Sequence, residues 1–194
     1  MSLVIGLTGP TGSGKTTVTK VAKDLGFKVI DCDLLARKAV EKGEEGLKAV
    51  VDAFGEDILF AGGELNRKAL AKKAFSSKEK TELLNKTLLP HIVKKVKEEI
   101  EGEFVLLDAP TLFESGLNGI CKYNIAVLSD EKLRKMRIIN RDGLTEAEAD
   151  LRIGAGKKDE FYLEKTENII YNNGTEEEFL NAVSEIFKKL LGGN

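Results

Sequence analysis

The chain has 194 residues, with 30 Lys+Arg against 32 Asp+Glu, a formal net charge of −2 and 42% apolar positions. That composition fits one globular domain of ordinary size and excludes a disordered or fibrous chain. A charge balance so close to neutral gives no overall pull toward nucleic acid or anionic lipid, so any polyanion site has to be local.

In chain order, Leu3 to Thr8 is an apolar run that stops at a glycine and a proline, as a buried strand does. A glycine-rich turn follows, then a helix from about Lys15 to Leu25 and a second short strand at Lys28 to Ile30, expected to neighbour the first. Between about Glu41 and Thr87 the pattern is helical, interrupted by Gly62 and Gly63, with no convincing central strand; it reads as a helical insertion beside a sheet. Leu89, Ile92, Val93, Val96 and Ile100 recur at helical spacing before a compact apolar strand at Phe104 to Leu107. His91, beside Pro90 at an apparent helix start, reads as a surface or capping residue. Ile125 to Leu128 is a further strand, and a helix follows from about Glu131 to Asn140. Gly143 to Glu164 is polar, opens on the capping pair Thr145 and Glu148, and reads as a helical, solvent-facing lid. Asn168 to Tyr171 is a short edge strand, and the last helix opens on Thr175 with Glu178 three residues later. Strands alternating with helices predict an α/β fold with a parallel sheet covered on both faces.

One histidine and two cysteines, Cys32 and Cys121, cannot build a zinc site from four cysteines or from paired cysteines and histidines, nor a disulfide framework. Two isolated thiols and no signal peptide point to reduced cysteines and a cytoplasmic address. No apolar stretch approaches the roughly 20 residues needed to span a bilayer.

Gly9-Pro10-Thr11-Gly12-Ser13-Gly14-Lys15-Thr16 satisfies the pattern G-x-x-x-x-G-K-[ST] where a strand turns into a helix. Glycines let successive N–H groups point inward, and the helix N-terminus adds its positive end, so the segment is an anion cradle. Lys15 is expected at the β- and γ-phosphates and the Thr16 hydroxyl at Mg²⁺. After the second strand come Asp31, Cys32 and Asp33; a carboxylate there can accept a proton from an attacking hydroxyl, hold Mg²⁺ or cap the next helix. There is no N-K-x-D motif, and the third strand ends in Asp108-Ala109-Pro110 rather than D-x-x-G, which argues against a GTPase switch. Arg134, Arg137 and Arg141 share one face of a helix, suited either to neutralising a transferred phosphoryl group or to facing solvent. On these residues alone, a small-molecule kinase and a non-catalytic nucleotide-dependent binding module both stand.

The chain also resembles the dephospho-coenzyme A kinases. The resemblance rests on Ile5-Gly6-Leu7-Thr8-Gly9 before the P-loop, Val29 to Asp33 followed by Ala36-Arg37, Asn66-Arg67, and Pro110 with Leu112-Phe113-Glu114. It continues through Arg137, Arg141-Asp142 and Asn172-Asn173-Gly174 and covers essentially the whole chain. It implies ATP-dependent phosphorylation of the ribose 3′-hydroxyl of dephospho-CoA, with ATP as co-substrate and Mg²⁺, no nucleic-acid or membrane partner, and an open oligomeric state. The implied architecture is a single P-loop kinase domain: a core at about 1–40, 88–142 and 165–194, a helical CoA subdomain at about 41–87 and a lid at about 143–164. Implied catalytic residues are Asp33, Lys15 and Arg141. Implied ATP contacts are Gly9, Gly12, Ser13, Gly14, Lys15, Thr16 and Thr17, together with Arg137, Asn172, Asn173 and Gly174. Implied substrate contacts are Thr8, Asp31, Asp33, Arg37, Leu112, Phe113 and Glu114. The chain departs from the family pattern at Leu89-Pro90-His91, Thr111, Gly156 and Tyr171. Another small P-loop kinase, such as shikimate kinase, is the alternative; the Gly-Gly-Gly acceptor loop expected of that family is absent.

Overall fold

In the computed structural model, which describes residues 2–192, β1 (Leu3–Thr8) is buried along its whole length. Leu3, Ile5 and Leu7 point to one face and Val4 to the other, the alternation of a strand covered on both sides. The chain turns through 9–14 into α1 (Lys15–Asp24), returns along β2 (Lys28–Asp31) and passes directly into α2 (Cys32–Lys38). Then come α3 (Glu45–Phe54), α4 (Arg67–Ala74), α5 (Lys78–Glu99), β3 (Phe104–Asp108), β4 (Tyr123–Leu128) and α6 (Glu131–Asp142). The order closes with α7 (Glu146–Gly154), α8 (Asp159–Leu163), β5 (Asn168–Tyr171) and α9 (Glu176–Gly192).

The five strands pair in parallel in the order β2-β3-β1-β4-β5. Contrary to the sequence expectation, β2 does not neighbour β1, because β3 lies between them. The burial of each strand explains the order. Val105, Leu106 and Leu107 of β3 are fully buried, whereas β2 carries Lys28 and Asp31 at its ends and suits an edge. One consequence reaches the site: Asp108 pairs in register with Leu7 on one side and with Asp31 on the other.

On one face, α1 and α9 bury Val18, Ala22, Phe179, Val183 and Phe187 against the sheet, and Phe27 packs on Phe187 at 5.1 Å between ring centroids. On the other, α2 and α5 contribute Leu35, Ile92 and Val96. α9 starts where its sequence signature put it: the Glu178 N–H donates to Thr175 Oγ1 at 3.2 Å, and the Thr175 N–H donates to the Glu178 carboxylate at 2.7 Å. Thr145 and Glu148 form the same capping box at α7.

The insertion has its own small core of Val50, Phe54, Ile58, Leu70 and Leu84. α5 runs unbroken from this core to the main sheet with Pro90 in its interior, so His91 is not at a helix start. It is half-buried, with its Cβ close to Gly46 of α3. Leu84 anchors the first half of α5 in one core, and Ile92 and Val96 anchor the second half in the other. That packing outweighs the single backbone hydrogen bond a proline removes. Nor does the segment 143–164 face solvent throughout. α7 buries Ala149 and Ile153 against Ile138, and α8 buries Tyr162 against Ala126 and Leu128 of β4. No helix among the described residues is long and apolar enough to cross a membrane.

Gly9 ends β1 at φ +140°, and a Cβ there would overlap the carbonyl oxygen of Val127 on β4. Gly9→Ala is expected to cost at least about 3 kcal/mol of folding stability, since strain and overlap add. Gly26, also at positive φ but with nothing near its Cβ position, should lose only about 1–2 kcal/mol on the same change. Urea unfolding of both variants measures the contrast.

Candidate active site

Residues 9–14 wrap because Gly9, Gly12 and Gly14 all adopt positive φ, a conformation that other residues enter only with strain. Gly14 is the N-cap of α1 and makes no side-chain cap; the Thr17 N–H closes on the Gly14 carbonyl, and the Lys15 and Thr16 N–H groups remain available to an anion. Lys15 folds back over this loop, its Nζ donating to the Gly9 carbonyl at 2.7 Å and to the Pro10 carbonyl at 3.2 Å. Burial pushes the lysine pKa down, while the Asp108 and Asp33 carboxylates pull it up. Loop and lysine line a cavity of about 560 Å³ whose far wall is Asp108, Pro110, Arg137, Asn140 and Arg141.

Three carboxylates gather at this end of the sheet. Asp31 caps α2, accepting from the Leu34 N–H at 2.9 Å, so the capping role is the one its side chain shows. Asp33 lies in the first turn of α2, outside the cavity wall but within electrostatic reach of Lys15. Burial and the Asp31 charge raise its pKa, and Arg37 and Lys15 oppose the rise. Asp108 is raised too, chiefly by burial, and its Oδ1 is buried with no hydrogen-bond partner. Thr16 is exposed on the same cavity. Between the carboxylates, Cys32 is buried and its thiol is pushed up to about 12, which leaves it inert as a nucleophile.

Of the implied ATP contacts outside the loop, Asn172 and Arg137 brace it. Asn172 is buried and donates from Nδ2 to the Ser13 carbonyl at 2.8 Å. Arg137 donates to Ser129 Oγ at 2.9 Å and to the Asn172 carbonyl at 3.0 Å, reaching the cavity with its guanidinium already engaged. Asn173 pairs with Asp130 through two hydrogen bonds of 2.8 and 2.9 Å. Gly174 leaves room for the Glu178 carboxylate that caps α9. Arg134, open in the sequence between phosphate contact and solvated face, is not a solvated face: it is 6% exposed and donates from Nε to the Ser129 carbonyl.

The expected substrate contacts divide. Thr8 is fully buried, its hydroxyl donating to the Pro110 carbonyl at 3.0 Å, and Leu112 is fully buried beneath Gly6, so neither side chain is open to a ligand. Phe113 and Glu114 are half-buried; Phe113 meets Phe161 of α8 edge-on, and Glu114 keeps a buried Oε2 without a partner. The Arg37 side chain is exposed at the end of α2, and its carbonyl accepts from Arg67 at 3.1 Å. Thr17 continues α1 with its N–H bonded to the Gly14 carbonyl. Asn140 and Ser129 carried no sequence signal of their own. Asn140 reaches the cavity on α6, and Ser129, just beyond β4, joins the loop's bracing through Asn172 and Arg137.

A strand, a glycine loop closing on a lysine, and acidic strand ends beside it define a P-loop nucleotide-dependent phosphotransferase core. The dephospho-CoA kinase family model matches residues 3–178, and the chain belongs to that family. It is 36% identical over 197 residues to a dephospho-CoA kinase of Enterococcus faecalis, covering 99% of both chains. The structure of a dephospho-CoA kinase from Campylobacter jejuni superposes with a TM-score of 0.66 at 26% identity over the full length of both chains. A shikimate kinase from Bacteroides thetaiotaomicron shares the fold at a TM-score of 0.56 and 16% identity, with 98% of each chain covered. The fold is thus common to both kinase families, and the family match favours the first over either alternative drawn from the sequence.

Asp108 makes a prediction about stability. Its folded pKa lies above the ordinary carboxylate value, so at neutral pH the charged form costs free energy in the ligand-free fold. That cost diminishes as pH falls through the raised pKa. Asp108→Asn should therefore stabilise the free protein at neutral pH. Thermal melts at pH 7 check the sign, and a lower Tm would contradict it.

Proposed function

We propose that the chain transfers the γ-phosphoryl group of ATP to the ribose 3′-hydroxyl of dephospho-CoA, giving CoA and ADP. The observation that carries this reading is the convergence of Lys15, Asp33 and Asp108 beside the glycine loop, in a chain of this family. The triphosphate lies along residues 9–17, where Lys15 exchanges its two loop carbonyls for β- and γ-phosphate oxygens. Asp33 takes the proton of the 3′-hydroxyl as it attacks, and Arg141 meets charge developing on the transferred group. Residues 41–87 serve as the CoA subdomain and 143–164 as the lid; Arg37, Phe113 and Glu114 face the acceptor.

Mg²⁺ fits the donors present. The unpartnered Asp108 Oδ1 and the Thr16 hydroxyl are hard oxygen ligands on one cavity. Among the described residues no three acidic, cysteine or histidine side chains are placed to hold a metal ion by themselves, so water and phosphate oxygens would complete the shell. When bound, the ion supplies positive charge to the phosphate oxygens.

ADP release measured with dephospho-CoA, shikimate and nucleoside monophosphates side by side tests the assignment: turnover should require dephospho-CoA. A preference for another acceptor overturns it. Asp33→Asn should lower kcat by roughly 10²–10⁴ with ATP binding retained.

The pH profile carries a separate expectation. Asp33 works deprotonated, so kcat/KM should fall as pH drops through its raised pKa. Asp31→Asn keeps the cap but removes the like charge, and should move this acid limb to lower pH. An acid limb that stays in place would show that Asp31 does not tune Asp33.

A further inference from the structure

Arg141 lines the phosphate cavity, yet its guanidinium is engaged elsewhere. Nε donates to Asp142 Oδ1 at 2.7 Å and Nη2 to Asp142 Oδ2 at 2.8 Å, a two-pronged contact that uses the same face of the fork a phosphate would use. Asp142 is in turn held from the other side, because Arg152 of α7 donates from Nη1 to Oδ2 at 2.6 Å. The backbone brings all three together. α6 ends at Asp142, Gly143 turns the chain at φ +66°, and α7 returns to bring Arg152 back beside the helix end. The Arg141 side chain is 56% exposed and that of Asp142 23%, and Asp142 is held by two arginines where Arg141 has one carboxylate, so the arginine is the more movable partner.

We propose that Asp142 is a positioning residue that parks Arg141: its carboxylate competes with the triphosphate for the arginine fork, and Arg152 weakens that hold by sharing Oδ2. This rests on the reading above that Arg141 contacts the transferred group. In the free protein the fork is oriented and neutralised at the cavity rim. To reach phosphate oxygens it must give up the two carboxylate contacts, and the free energy of that exchange is subtracted from transition-state binding. Asp142, left with Arg152, retains a cationic partner after the exchange and does not become an uncompensated charge.

The test uses two variants that break the same Asp142–Arg152 bridge. Asp142→Asn removes the competing charge and should raise kcat/KM for ATP by about three- to tenfold at saturating dephospho-CoA. Arg152→Gln leaves the whole carboxylate to Arg141 and should lower it by a smaller factor. A merely structural bridge between α6 and α7 predicts a loss in both, so equal signs overturn the proposal. In an Arg141→Lys background, which loses the two-pronged contact, both effects should disappear; effects that persist there also overturn it. Arg141→Lys alone separates the two levels of the argument. If its kcat/KM is unchanged, the assignment of Arg141 to the triphosphate fails and the proposal with it. If it falls while the opposite signs are absent, the parking role alone fails.

Discussion

Lys15 is a cation drawn out of water beside carboxylates, and the surrounding fold is organised about holding it there. Its ammonium rests on two carbonyls of its own loop, with Asp108 and Asp33 as the opposing charges that offset burial. Such a group costs free energy unless it is paired, and pairing it too well would leave nothing for a phosphate. The structure takes an intermediate course. The carbonyl contacts are exchangeable, and neither carboxylate hydrogen-bonds or ion-pairs with the ammonium. An incoming polyanion therefore finds a cation already in place and partly desolvated, the condition under which fixed charges stabilise best.

The loop that carries this lysine does not hold its shape alone. Its Ser13 carbonyl is tied to Asn172 beyond β5, and Asn172 is tied to Arg137 of α6 and to Ser129 beyond β4. Three segments far apart in sequence thus converge on one carbonyl-lined turn. Each bond satisfies a polar group that burial would otherwise leave costly, so the network rigidifies the cradle as well as stabilising the fold. This changes the reading of residues that resemblance places at the nucleotide. The side chains of Asn172 and Arg137 already hold the loop, and any contact with nucleotide is added to that bracing.

Most of the strands and helices were legible because their signals are local. The alternation in β1, the glycine pattern of the loop and the capping boxes at Thr145 and Thr175 need no long-range information. What failed depends on partners the sequence does not display. Nothing in Lys28–Asp31 says that β3 will intervene between β2 and β1, and with that the central place of Asp108 stayed hidden. His91 was misplaced because Pro90 is a breaker by local rule, and only the two cores gripped by α5 override it. The polar composition of 143–164 likewise concealed one inward tyrosine, since five short residues of α8 carry no readable period.

That tyrosine bears on how the proposed lid works. α8 is fixed by Tyr162 under β4, and its Phe161 meets Phe113 edge-on at 6.1 Å between ring centroids, so it is attached to the same loop that carries Glu114. α7, by contrast, is held to α6 by three buried aliphatic side chains and by exposed ion pairs of Lys135 and Arg152. Exposed pairs of this kind contribute little and break readily, whereas extracting a buried aromatic costs several kcal/mol. The buried aliphatic side chains between α6 and α7 therefore hold α7 more firmly than its ion pairs do. The two halves of the segment are thus tied to different parts of the fold, α8 to β4 and to the loop before it through aromatic rings, and α7 to α6 through a small aliphatic cluster.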